Sequence, residues 1–268
     1  MSEGSGKTAL VTGASSGIGK AFAELLAQKG YALVLTARRG DRLDALAREL
    51  AERYHVDTQS IVADLAERDA PRAIAAELAA RGVTIDLLVN NAGYGVPGSY
   101  LKVPWLDHER FMQVMVSAVL DLTYRLLPGM IDRGWGRIIN IASVAGMVPS
   151  PAGHTLYGAS KAFVIRFSEA LNAENLDQGV HTTAVCPGFT WSEFHDVTGT
   201  RDRMNTMPGF LWLKADEVAR QGYRAVMSGH SVVVNGRLYQ FLVWVVGAVP
   251  RGLSRRVSGV AGRRYRKT

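Results

Sequence analysis

Residues 7–30 read KTALVTGASSGIGKAFAELLAQKG, and the order of its parts decides the fold. KTALVT, residues 7–12, is a short apolar strand; a glycine turn follows, and an amphipathic helix then runs to Gly30. Gly13, Gly17 and Gly19 have the spacing GxxxGxG. Glycines in this arrangement permit a tight turn and let backbone N–H groups approach a pyrophosphate at the helix N-terminus. Such turns also serve packing alone, so the position directly after a first strand carries the argument.

Outward from this unit the pattern repeats. YALVLTA, residues 31–37, is a second strand, and the residue after a second strand in such a unit lies near an adenosine ribose. Here it is Arg38, followed by Arg39, while Ala37 stands before them in place of an acid. A guanidinium suits a 2′-phosphate, which favours NADP(H) over NAD(H). The alternative is two solvated arginines opening a charged helix over residues 40–53. A third strand, TQSIVADL, places Asp64 to meet an adenine amino group, and a helix spans about residues 69–81. The apolar IDLLVNNAG then reads as a strand covered on both faces, with Asn90 and Asn91 tying neighbouring loops, and Ala92 and Gly93 allowing close approach of a ligand. Strands alternating with helical patterns predict an α/β fold with a doubly wound sheet.

The 268 residues suit one large domain, and no linker divides them. Hydrophobic residues make up 47% and charged residues 21%, ordinary for a chain with a sizeable core. Cys186 is the single cysteine, which excludes an intramolecular disulfide; in the apolar run HTTAVCPG it reads as a buried strand thiol rather than a nucleophile. The N-terminal MSEGSGKTALVTG lacks the apolar core of a signal peptide, which predicts a cytoplasmic address. Net charge is +7, and no acid follows Glu217. Arg251, Arg255, Arg256, Arg263, Arg264, Arg266 and Lys267 concentrate the excess at the end of the sequence, where it says little about an active site.

A second stretch carries chemistry: SVAGMVPSPAGHTLYGASK, Ser143 to Lys161. Tyr157 and Lys161 stand four residues apart in a segment that reads as a helix over residues 155–178, so they share a face. A tyrosine ordinarily titrates near about 10, and a fixed ammonium beside it favours the phenolate. Ser143, ending the apolar run RIINIAS, is placed to hydrogen-bond an oxygen that gains charge. A surface Tyr and Lys on an ordinary helix is the plainer alternative.

Taken together, TGASSGIG (12–19), NNAG (90–93), Ser143, YGASK (157–161) and PG (187–188) occur in the order and spacing of the short-chain dehydrogenase/reductase family, which the chain resembles from residue 7 to about 236. The resemblance implies an NAD(P)-dependent oxidoreductase: a single-domain, mostly parallel seven-stranded Rossmann-type sheet over residues 1–237, with a C-terminal apolar and basic extension over 238–268. It makes Tyr157 the general acid, has Lys161 lower its pKa and hold the nicotinamide ribose, and has Ser143 orient the substrate oxygen. Position by position it lines the cofactor with Gly13, Ser15, Ser16, Gly17, Ile18, Gly19, Arg38, Asp64, Leu65, Asn91, Ala92, Gly93 and Thr190, beside Tyr157 and Lys161. A homodimer or homotetramer, through the long fifth helix and the catalytic helix, is implied as well.

One position departs from the family. An asparagine that helps hold a relay water usually stands eight residues before the threonine of an LT pair, and here that count from Thr123 lands on Met115. A thioether cannot donate a hydrogen bond, so the relay is broken, rerouted or supplied by solvent. Met115→Asn is therefore expected to leave the rate of carbonyl reduction unchanged or raise it, and a large loss in a steady-state assay would show the methionine slot is adapted. The same departure is the one positive support for a rival reading, a non-catalytic NADP(H)-binding regulatory or scaffold module.

After PG, residues 189–213 read as a substrate lid rich in bulky apolar side chains, among them Trp191, Phe194, Met204, Met207, Phe210, Leu211 and Trp212. That composition suits a hydrophobic carbonyl or alcohol substrate, lipid-like or polycyclic; packing of the lid onto the domain is the alternative. Glu193 and His195 have no second ligand cluster, so no metal is expected. LYQFLVWVVGAVP, from Leu238, is shorter than the roughly 20 residues that span a bilayer as a helix. With the cations behind it, it suits an anionic membrane surface, a peripheral placement on the inner face, better than a partner subunit or the cleft. Nucleic-acid binding is not expected, because Tyr265 is the lone aromatic among those cations.

Overall fold

The computed structural model describes residues 2–96, 98–150, 155–191 and 208–248. Its frame is one seven-stranded sheet in the order β3-β2-β1-β4-β5-β6-β7, with every pairing parallel. The strands are β1 (Thr8–Thr12), β2 (Ala32–Ala37), β3 (Thr58–Val62), β4 (Leu87–Asn90), β5 (Gly136–Ile141), β6 (Val180–Cys186) and β7 (Val232–Val234). The chain winds outward from β1 to β3, then crosses to β4 on the other side of β1 and winds outward to β7. The crevice at that reversal, beyond the strand C-termini, is where such sheets bind ligands.

The helices are α1 (Gly17–Gln28), α2 (Gly40–Tyr54), α3 (Ala70–Ala80), α4 (Trp105–Met112), α5 (Ala118–Asp132), α6 (Thr155–Asn175), α7 (Ala215–Met227) and α8 (Arg237–Ala248). Alternation along the strands sorts them into two layers. Ala9 and Val11, Leu33 and Leu35, Leu87 and Val89 face α1, α2 and α7 with Phe22, Leu26, Leu50 and Val218. Leu10, Val34 and Leu88 face the other way, toward α3, α5 and α6 with Ile74, Leu122 and Leu171. Successive side chains in a strand point to opposite faces, so apolar runs form two cores at once.

Several boundaries differ from the sequence reading. The third strand ends at Val62, leaving Asp64 in the loop beyond it, and α6 ends at Asn175 with a 3₁₀ turn, Leu176–Gln178, completing the expected span. The long fifth helix begins earlier than its apolar pattern suggests, at Trp105, and is interrupted by a π-helical turn, Gln113–Ser117, that contains Met115. Trp105–Asp132 is 28 residues long, and its most apolar 18-residue stretch has a mean hydropathy of 1.4. That is enough by length and composition to cross a membrane, but Phe111, Val114, Ala118 and Leu122 are buried in the domain, which accounts for the apolarity. The lid residues Phe194, Met204 and Met207, the pair Glu193 and His195, and the basic run from Arg251 lie outside the described residues.

A buried polar chain fixes the middle of the sheet against the helices. Asn90 Nδ2 donates to Asn140 Oδ1 (2.9 Å) and to Thr123 Oγ1 (3.3 Å), and Asn140 Nδ2 donates to Ser168 Oγ (2.9 Å). This ties β4, β5, α5 and α6 together at the end that faces the crevice. Asn140→Ala is expected to cost about 2–3 kcal/mol by denaturant titration, since it strips partners from two buried side chains. A loss below about 0.5 kcal/mol would show that the neighbours re-pair at little cost.

Candidate active site

The glycine turn between β1 and α1 is packed from below by the end of β4. Thr12 Oγ1 accepts from the N–H groups of Asn91 (2.9 Å) and Ala92 (3.0 Å), and Asn91 Nδ2 donates to the carbonyls of Thr12 (2.9 Å) and Gly13 (3.2 Å). Gly13 adopts φ 65° and Gly17 φ 56°, a region that glycine enters without penalty. A Cβ at Gly13 would stand 2.8 Å from Asn91 Nδ2, and one at Gly19 would overlap both the Gly13 carbonyl and that amide. Ser16, the residue before α1, makes no side-chain cap, and the first turn of α1 contains no acid. The opening N–H groups of the helix are thus arranged for an anion from outside. Ile18 packs on the core beneath them, and Leu65 is itself a core residue.

At the end of β2 the two arginines divide. Arg38 is exposed, whereas Arg39, which the family correspondence does not single out, donates to Ser15 Oγ (3.0 Å) and Ser16 Oγ (3.3 Å). A guanidinium therefore sits against the glycine turn. Asp64 is engaged within the chain: Oδ1 accepts from Ala66 N–H (3.0 Å), and Oδ2 lies 3.5 Å from Arg110 of α4. Burial raises the Tyr94 phenol beside them, against the charges of Arg110 and Arg38.

Ser143, Tyr157 and Lys161 come together beyond the ends of β5 and β6. Ser143 begins a 3₁₀ turn (Val144–Gly146); its Oγ accepts from Ala145 N–H (3.1 Å) and donates to the Pro187 carbonyl (3.5 Å). Tyr157, in the first turn of α6, is hydrogen-bonded to Ser143. Lys161 is buried one turn on; its Nζ donates to the Ile141 carbonyl (2.6 Å) and stands 5.8 Å from the centroid of the Tyr157 ring. Small residues make this proximity possible. A Cβ at Gly146 would reach to 2.6 Å from Ala162 N, and Gly158 leaves room for Ser150.

Burial moves the two titratable members in opposite directions, and for Tyr157 against the sequence expectation of a lowered phenol. Burial pushes the Tyr157 phenol above its ordinary value, with the Ser143 hydrogen bond pulling the other way. Burial lowers Lys161 to about 8. Cys186 lies close by, fully buried, its thiol pushed up to about 12 by burial, a structural thiol and no nucleophile.

Met115 is buried in its π turn with Sδ against Gly93; a Cβ at Gly93 would stand 2.9 Å from that sulfur. The glycine of NNAG thus accommodates the thioether, a contact between residues too distant in sequence for spacing to reveal. Thr190 is buried after PG, its Oγ1 donating to the Gly188 carbonyl (3.1 Å), and it bridges to Leu213. Trp191 and Trp212 stack at 4.1 Å beside that bridge. A groove lined by Thr8, Ala32, Asp57, Asp86 and Arg133 lies at the opposite, N-terminal edge of the sheet, away from these groups. Among the described residues, no three His, Cys, Asp or Glu side chains gather as a metal site.

Comparison with known proteins agrees with this fold. A sequence model described as short chain dehydrogenase matches residues 7–202. A very-long-chain 3-oxoacyl-CoA reductase of Anas platyrhynchos is 41% identical over 256 residues, covering 93% of this chain and 78% of that protein. Among solved structures, a short-chain dehydrogenase from Sphingobium yanoikuyae in complex with NADPH superposes with a TM-score of 0.79 at 31% identity, covering 91% of this chain and 96% of the other. A 7β-hydroxysteroid dehydrogenase does so with a TM-score of 0.84 at 25% identity, covering 96% and 99%.

Proposed function

The chain belongs to the short-chain dehydrogenase family, and from that premise we propose that it is an NADP(H)-dependent reductase of hydrophobic carbonyl compounds, foremost long-chain 3-oxoacyl thioesters. The observation that carries this reading is the Ser143, Tyr157 and Lys161 trio set beside a glycine turn whose side-chain-free surface is closed to any Cβ at Gly19. When bound, NADPH supplies the hydride. Gly13, Ser15, Ser16, Gly17, Ile18, Gly19, Asn91, Ala92, Gly93 and Thr190 would hold it, with Asp64 and Leu65 at the adenine end. Arg38 and Arg39 give a 2′-phosphate two guanidinium partners, and Ala37 offers no acid to repel it.

The chain's own part in the chemistry is to bind the carbonyl oxygen and move one proton. Ser143 hydrogen-bonds the oxygen that gains charge as the carbonyl carbon accepts hydride. Tyr157 gives its phenolic proton to that oxygen, completing the alcohol and leaving a phenolate that solvent reprotonates. Lys161 holds the cofactor ribose and favours the phenolate through its charge. The relatives named for 3-oxoacyl-CoA and hydroxysteroid substrates support a bulky apolar substrate, as do Trp191 and Trp212 stacked beside the bridge from Thr190 to Leu213.

The test is NADPH oxidation against hydrophobic ketones, aldehydes and 3-oxoacyl thioesters, with NADH for comparison. Turnover with NADPH on the apolar members is expected. Tight NADPH binding without turnover on any of them would leave a non-catalytic binding module. The pH profile is a second check. Because burial lowers Lys161 to about 8 and raises Tyr157, the lysine is the first of the two to lose its proton as pH rises. Thus kcat/KM for reduction should be level below about pH 8 and fall above it. A profile level to about pH 10 would remove the lysine's charge from the mechanism.

We place the protein in the cytoplasm, peripheral on the inner face of a membrane, as a homodimer or homotetramer through α5 and α6. Tyr124 on α5 and Phe163 on α6 are 78% and 45% exposed, as such an interface needs.

A further inference from the structure

Residues 187–191, the segment that carries Thr190, are held at both ends. At the start the Pro187 carbonyl accepts from Val144 N–H (3.1 Å) and from Ser143 Oγ (3.5 Å). At the other end the segment pairs with the stretch before α7: Leu213 N–H donates to the Phe189 carbonyl (2.8 Å) and Trp191 N–H to the Leu213 carbonyl (3.1 Å). Between these ends stands Tyr239 of α8, 6% exposed. Its hydroxyl accepts from Phe189 N–H (3.1 Å) and donates to the Leu211 carbonyl (2.6 Å), so one oxygen ties the two stretches together. Its ring fills the space that Gly188 leaves free, where a Cβ would overlap it. Trp191 and Trp212, one from each stretch, stack at 4.1 Å; Trp212 is buried and Trp191 half exposed.

We propose that Tyr239 is a positioning residue that sets the preference for long apolar substrates, by fixing the two tryptophans as a wall of the substrate crevice. The inference deepens the reductase reading and rests on it. The contact of Pro187 with Ser143 brings the start of the segment to the catalytic trio, and Trp191 follows a few residues on, so the indole pair borders the path of a substrate held at Ser143. The backbone pairing reaches back only to Leu213, and the 3₁₀ turn Gly209–Leu211 directly before Trp212 is tied to residues 187–191 by the Tyr239 hydroxyl. That hydroxyl gives its single proton to the Leu211 carbonyl, so it acts through the wall and takes no part in proton transfer to substrate. Each methylene a substrate buries improves binding about fourfold, so a wall loosened over two of them loses about tenfold.

The test compares kcat and KM of the natural chain and Tyr239→Phe for NADPH-driven reduction of acetoacetyl-CoA and of 3-oxohexadecanoyl-CoA. In the variant, KM for the long thioester should rise about tenfold, while kcat on both substrates and KM for the short one stay within about twofold. In a Trp191→Ala background the same change should add less than about twofold, because the tyrosine works through the indole pair. A role in packing alone would lower the active fraction, and with it kcat on both substrates, leaving each KM where it was. That result, unchanged constants throughout, or a full tenfold rise in both backgrounds would overturn the inference while the reductase reading stands. No turnover of either thioester by the natural chain would overturn both.

Discussion

Tyr157→Phe is expected to lower kcat for carbonyl reduction by roughly 10²–10⁴-fold while leaving NADPH affinity within about threefold of the natural chain. The phenyl ring keeps the shape that packs in the first turn of α6, and the fold around it is held elsewhere, by Lys161 on the Ile141 carbonyl and by the Asn90, Asn140 and Ser168 chain. What disappears is the one proton in reach of Ser143 that can pass to a substrate oxygen. Single-turnover kinetics with NADPH titration separates the two quantities. Equal loss of binding and turnover would mean that the tyrosine holds the cofactor and something else supplies the proton.

Gly19→Ala should act at the other end of the crevice and in the opposite sense, weakening NADPH binding by roughly 100-fold before any effect on chemistry. Its Cβ would collide with the Gly13 carbonyl and the Asn91 amide, neither of which is the free end of a flexible side chain. Asn91 is held by the backbone of Thr12 and Gly13, so relief requires moving the turn itself, and with it the N-terminus of α1. Gly209→Ala is the matched control, because no described residue lies within 4 Å of a Cβ there. Fluorescence titration of NADPH against both variants checks this. Equal affinity in the two would mean that the cradle yields more readily than its hydrogen bonds imply.

Much of the frame was readable because it is written in local periods. The apolar runs of β1, β2, β4 and β5 and the glycines between β1 and α1 each declare themselves within a few residues, and their alternation gives the parallel order. The trio of Ser143, Tyr157 and Lys161 was legible for the same reason, as two residues one turn apart and a third at a strand end. What stayed hidden depends on partners distant in sequence. Arg39 reaches the serines of the glycine turn across 23 and 24 residues, and Arg110 meets Asp64 across 46. Tyr239 closes on Phe189 from 50 residues away. Spacing carries no signal for such pairs; they exist only once the fold has brought separate loops and helices together.

The π turn at Gln113–Ser117 has a consequence for how this chain tolerates changes in length. Such a turn holds one residue more than the α-helical path between the same two ends. Removing one residue within it would regularise the helix while leaving α4 and α5 in phase with their own neighbours, Arg110 toward Asp64 and Thr123 toward Asn90. The same deletion in α5 would rotate everything beyond it by about 100° and turn a buried stripe to solvent. The helix thus has one place where a residue can be lost without losing register, and that place is beside the site, at the residue that packs on Gly93.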